Sequence, residues 1–286
     1  MKKKLIFLLL LMIFLTSCEK DQSKFFDGES AFNYAKIQVD LGPRTPGSEA
    51  HAQTIDLLIN ELKSFGWSVD LQNDSVNGFE IQNIIGKYPS SVEAPWIIIG
   101  AHYDSRFFAD NDAQSQNHLT PVVGANDGAS GVAVLLELAR VLPEDINKNI
   151  WFVFFDTEDQ GNIEGWDWIL GSRSFVNTLQ SKPDAVVILD MIGDEDLNIH
   201  FERNSDIELQ KEIWDIAASL GYEEFFIPEY KYSILDDHIP FVEKGIKAID
   251  VIDFDYPYWH TTQDTIDKIS PESLEVVGST IYHWLL

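Results

Sequence analysis

Apolar runs and amphipathic stretches alternate along most of the chain. Ser30 to Leu41 has helical spacing and stops before the breaker pair Gly42-Pro43. Ser48 to Phe65 repeats that spacing, with Ile55, Leu57, Leu58, Leu62 and Phe65 on one side, and ends at Gly66. Short apolar runs come next at Trp67 to Leu71, Phe79 to Ile85 and Trp96 to Gly100. The last is a continuous Trp-Ile-Ile-Ile, as expected of a strand covered on both faces. Beyond it the pattern predicts a helix over Gly131 to Leu142, a buried strand over Asn149 to Phe155, a helix over Gly171 to Leu179 and a strand over Ala185 to Met191. Helices over Ile207 to Leu220, Asp237 to Lys244 and Pro271 to Leu286 flank a further strand, Ile246 to Ile252. Strands interleaved with helices predict an α/β fold: a single-domain three-layer sandwich with a central mixed, largely parallel sheet. Two irregular stretches stand out. One is polar and runs from Ser105 to Val123; the other, Gly161 to Leu170, holds Trp166 and Trp168.

The N-terminus has a different pattern. Lys2, Lys3 and Lys4 precede an apolar run from Leu5 to Leu15, and Leu15-Thr16-Ser17-Cys18 places small residues before a cysteine. The run is a secretion signal, too short for a comfortable membrane span, and its end resembles a bacterial lipobox. The expected organisation is a signal peptide over 1–17, a lipidated Cys18 with a polar tether to residue 28, and a catalytic domain over 29–286. The protein would then be an exported lipoprotein on the periplasmic or cell-surface side of a membrane, held there by its lipid alone. Cys18 is the only cysteine, so an intrachain disulfide and a thiol nucleophile elsewhere are both excluded. With 286 residues, 45% of them apolar, the chain can build one large core, and its formal net charge of −27 argues against a nucleic-acid partner.

Polar chemistry gathers where the predicted strands end. Trp96 to Gly100 leads into His102-Tyr103-Asp104, Asn149 to Phe155 into Asp156-Thr157-Glu158-Asp159, and Ala185 to Leu189 into Asp190. Gly124-Ala125-Asn126-Asp127-Gly128 precedes a helix, and Ile246 to Ile252 leads through a loop to Trp259-His260. Each residue alone suits a helix cap or a satisfied core histidine. Together they sit where open α/β sheets bind ligands, and Asp, Glu and His without cysteine suit a cation such as zinc. Neither a His-Glu-x-x-His helix nor a Gly-x-Ser-x-Gly elbow is present.

His102-x-Asp104, Asp127, Glu158-Asp159, Asp190 and His260 occur in the order used by co-catalytic zinc aminopeptidases, which the chain resembles from Gly42-Pro43-Arg44 to its last helix. Ala-His-Tyr-Asp-Ser, Phe-Phe-Asp-x-Glu, Gly171-Ser172-Arg173, Asp236-Asp237-His238-Ile239-Pro240-Phe241 and Trp259-His260-Thr261 more closely resemble the animal-type glutaminyl-peptide cyclotransferases and their bacterial relatives. That resemblance implies one zinc held by Asp127, Asp159 and His260. Glu158 would be the general acid/base, with Asp190 and Asp236 as its hydrogen-bonded acidic neighbours. Trp259 would wall the substrate pocket together with Trp166 or Trp168. His102 and Asp104 would lie around the metal or, as in two-zinc aminopeptidases, belong to a second metal site. The remaining histidines, His51, His118, His200, His238 and His283, match no metal position.

The implied reaction joins the α-amine of an N-terminal glutamine to its own side-chain amide carbon and expels ammonia. The partners are then peptides or proteins with a free N-terminal glutamine. The alternative is a zinc aminopeptidase, in which Glu158 would activate water. One departure bears on the metal: many relatives carry Glu-Glu where this chain has Glu158-Asp159, which shortens a ligand by one methylene.

Overall fold

The computed structural model describes residues 25–88 and 94–286; the signal segment and Cys18 lie outside them. Helices α1 (Gly28–Leu41) and α2 (Glu49–Ser64) come first, then strands β1 (Ser68–Val76), β2 (Phe79–Lys87) and β3 (Trp96–His102). They are succeeded by α3 (Ala129–Val141), β4 (Asn149–Phe155), α4 (Leu170–Thr178), β5 (Ala185–Asp190), β6 (Ile199–Phe201), α5 (Ile207–Ser219) and β7 (Phe226–Tyr230). The chain closes with α6 (Ile239–Glu243), β8 (Ala248–Ile252) and α7 (Pro271–Leu285). The helix starts are chemically marked. Asp27, Ser48, Asp206 and Ser270 each cap a helix by accepting a backbone N–H, and Pro271 fills the first turn of α7.

The main sheet has six strands in the order β1-β2-β4-β3-β5-β8. β4, β3, β5 and β8 are parallel, whereas β1 and β2 add an antiparallel edge, so the sheet is mixed as expected. Alternate side chains of β3 serve opposite faces. Ile97, Ile99 and Ala101 pack in the large core with α3, α5 and α7, and Ile98 packs with Phe175 of α4 and Phe241 of α6. This two-sided covering gives the three layers and accounts for the unbroken apolar strand.

Two features differ from the pattern reading. The short parallel pair β6–β7 was not foreseen, because three and five residues show too little alternation to register. Residues just before α1 also join the packing. Phe26 is buried on α7, where its ring occupies the space that a Cβ on Gly278 would need, and Asp27 caps α1.

Candidate metal centre and active site

Strand register brings the polar groups to one edge of the sheet. His102 at the end of β3 pairs with Phe155 at the end of β4, and Asp190 at the end of β5 pairs with Ile252 at the end of β8. The segments that leave these four strands therefore start at the same level. The Asp127 loop enters from the N-terminal side of α3, held by Asp264, whose carboxylate accepts the N–H groups of Asn126 and Asp127. Gly128 has a steric reason: a Cβ there would lie 2.5 Å from His102 Nε2. Three non-glycine residues at this edge, Thr157, Met191 and His260, have left-handed backbone with φ of 58°, 45° and 57°. They stand beside Glu158 and Asp190 or within the ligand set itself, where such strain tends to be stored.

Asp127, Asp159 and His260 offer ligand atoms that all lie within 4.8 Å of one another, and all three are buried. His260 Nε2 is 2.7 Å from Asp159 Oδ1 and 3.7 Å from Asp127 Oδ2. Asp127 Oδ2 and Asp159 Oδ2 are buried with no hydrogen-bond partner among the described residues. Such groups are costly unless they are paired or coordinate a metal. Two carboxylates and one imidazole match the ligand types of catalytic zinc, so the residues fit the ion. A second group, His102, Asp127 and Asp190, meets the same closeness and shares Asp127. In it His102 Nε2 lies 3.0 Å from Asp127 and 3.2 Å from Asp190.

Asp104 takes a supporting position. Its carboxylate accepts the backbone N–H groups of Glu158 and Asp159 and the side-chain amide of Gln160, which sets the turn carrying both acidic residues. Glu158, Asp190 and Asp236 line one cavity of about 220 Å³ together with Asp127, Asp159, Trp168, Trp259, Phe254 and Ile234. The hydrogen bonds of the two neighbouring aspartates run elsewhere: Asp190 faces His102, and Asp236 accepts the Asp237 amide N–H. Burial raises the Glu158 carboxyl well above its usual range. The charges of Asp236, Asp159 and Asp237 add to the rise and His102 opposes it. Asp236 is pushed up to about 7, first by burial and then by Asp190. His102 is raised despite its burial, because Asp104, Asp127 and Asp190 surround it.

The two tryptophans part company. Trp168 lines the cavity and stacks parallel to the His260 ring at 5.9 Å. Trp259 also lines the cavity and lies against the His260 ring, 3.8 Å between centroids. Trp166 instead stacks on Phe79 at 3.6 Å and lines a separate groove with His51 and Asp156. Gly161 allows this course, since a Cβ on it would lie 2.0 Å from the Trp168 ring.

The pattern of Peptidase family M28 matches residues 83–285, which include every candidate ligand. The chain belongs to peptidase family M28. A solved glutaminyl cyclase of Bacteroides thetaiotaomicron, bound to N-acetylhistamine, is 36% identical, with a TM-score of 0.84, covering 90% of this chain and 97% of that one. The glutaminyl-peptide cyclotransferase-like protein of Bos taurus is 26% identical over 81% of this chain and 68% of its own length. Aminopeptidase YwaD of Bacillus subtilis (strain 168) is 32% identical over 93% of this chain, which spans 59% of that protein. These relatives are enzymes, and the family implies a zinc-dependent one here.

Sequence reasoning missed several supports. Arg44 is fully buried and donates to the carbonyls of Tyr103, Val123 and Gly124, thereby tying the β3 end to the Asp127 loop. Its place in the Gly42-Pro43-Arg44 segment was the available signal. Asp264, four residues beyond His260, had none. Of the remaining histidines, His51 bonds Asp156 at 2.8 Å, and His238 is buried within reach of Asp236 and Asp250.

Proposed function

We propose that the chain is a zinc-dependent glutaminyl-peptide cyclotransferase, turning an N-terminal glutamine into pyroglutamate with release of ammonia. The observation that carries this reading is the likeness to the Bacteroides thetaiotaomicron glutaminyl cyclase, at 36% identity over 90% of the chain. The site supports it with a buried carboxyl beside a three-residue ligand set, inside a cavity with aromatic walls.

Bound by Asp127, Asp159 and His260, a zinc ion would supply Lewis-acid polarisation of the substrate's side-chain amide. Glu158 accepts a proton from the α-amine as the new C–N bond forms and returns one to the amide nitrogen, which leaves as ammonia. No water is consumed, so the balance closes within the substrate. Trp168, Trp259 and Phe254 hold the glutamine side chain folded back, which reduces the entropy lost on ring closure. The acidic edge attracts the substrate's terminal ammonium group. We further propose that the enzyme is exported and anchored through a lipid on Cys18.

A second reading, a zinc aminopeptidase, draws on the group His102, Asp127 and Asp190, which shares Asp127 with the first. Those residues would hold a second ion, and a two-metal centre would supply the activated water on which Glu158 acts as base. Ammonia release separates the readings. A peptide beginning with glutamine should yield ammonia, lose that yield in chelator and regain it with added zinc, while a peptide beginning with leucine yields none. Leucine release without ammonia would favour the aminopeptidase.

A further inference from the structure

One cation in this region takes no part in the proposed chemistry, yet it touches several groups that do. Arg106 lies just beyond β3 in the irregular stretch and is only 2% exposed. Its Nε and Nη2 donate to the two carboxylate oxygens of Asp110 at 2.8 and 2.6 Å. Nη1 donates to the Asp159 carbonyl at 2.9 Å and lies 3.8 Å from Asp159 Oδ1, while Nη2 reaches the Gly161 carbonyl at 3.1 Å. The guanidinium carbon sits 5.0 Å from the centre of the Trp168 ring. Asp110 in turn lies 3.6 Å from His260 Nδ1, the ring nitrogen remote from Asp159, and the next residue, Asn111, donates its N–H to the His260 carbonyl at 3.1 Å.

We propose that the Arg106–Asp110 ion pair positions the metal centre, fixing Asp159, His260 and the Trp168 wall relative to one another. The proposal rests on the reading of Asp127, Asp159 and His260 as zinc ligands. An aspartate has a short reach, so the location of its backbone decides where its carboxylate lies. Arg106 holds that backbone at the Asp159 carbonyl, and Asp104 holds it at the amide. On the histidine side the Asn111 N–H holds the His260 carbonyl, and the Asp110 carboxylate stands 3.6 Å from the outer ring nitrogen, the side from which carboxylates commonly support ligating imidazoles. The guanidinium face against Trp168 couples the pocket wall to the same pair. Only a planar fork can make all these contacts at once, and a lysine supplies the charge without them.

The test uses the purified full domain and competition for zinc against a calibrated chelator. Arg106→Lys and Asp110→Asn should each bind zinc about 10–100-fold more weakly, the usual effect of removing a ligand's outer support. Because both act through one ion pair, the double variant should be little weaker than the worse single one. Arg106→Lys should also raise KM, through the loosened Trp168. Melting in excess chelator shows whether each variant is folded. Asp110 has a side chain 42% exposed, so Asp110→Asn guards against a folding failure of the arginine variant. Wild-type zinc affinity in both single variants would overturn the positioning role. A wild-type domain that binds no zinc at all would overturn the zinc reading first, and this inference with it.

Discussion

In the proposed function residue roles divide between holding an ion and moving a proton, and neighbours in sequence fall on opposite sides. Glu158 and Asp159 emerge from the same turn, but His260 reaches Asp159, whereas Glu158 faces the cavity with Asp236. Glu158→Gln should therefore retain zinc and lose about 10²–10⁴-fold in turnover, measured as metal content and kcat on one preparation. Loss of zinc with activity would exchange the two roles. Trp168→Ala should raise KM with zinc retained, and Trp166→Ala should leave both unchanged, because only Trp168 of the two lines the cavity. The candidate ligands were legible in sequence, since each comes after a strand or before a helix in a familiar order. The groups that hold them were less so. Asp104 was visible as a candidate but not as the clamp on two backbone amides. Arg106 and Asp264 act through tertiary contacts, for which local pattern carries no signal.

At the scale of elements, periodicity served well wherever a segment was long and one-sided. The strand from Asn149 to Phe155 agrees to the residue, and the main helices agree to within about one turn, the usual margin at helix ends. The pair β6–β7 escaped notice because its strands are only three and five residues long. Phe26 escaped for a different reason: nothing local separates it from its exposed neighbour Phe25, and its partner is the distant glycine notch at Gly278 of α7. Phe26→Ala should lower stability by about 3 kcal/mol, the lower end for a buried phenylalanine, as measured by urea unfolding. An unchanged midpoint would mean that the segment before α1 contributes nothing to the domain.

Across the whole molecule, buried carboxyl groups with raised pKa are the expected source of a pH response. Burial pushes Asp253 up to about 7, although the amides of Asn198 and Asp255 oppose the rise. A carboxyl whose folded pKa exceeds its unfolded value binds protons in the folded state, so its contribution to stability is full at low pH and fades as pH rises toward 7. Asp253→Asn should thus flatten the fall in melting temperature between pH 5 and pH 7, whereas an identical slope would exclude Asp253 as a source. The net charge of −27 belongs to a molecule whose proposed substrate carries a terminal ammonium. The segment ending at Cys18 carries its own expectation: Cys18→Ala should move the protein from the membrane to the soluble fraction, and unchanged partition would rule lipidation out. The central claim concerns the reaction, and intact-mass analysis tests it most directly. A peptide beginning with glutamine, incubated with residues 19–286 and zinc, should become lighter by one ammonia with every peptide bond kept. Loss of the whole glutamine residue, with no such lighter product, would contradict the account and make the enzyme an aminopeptidase.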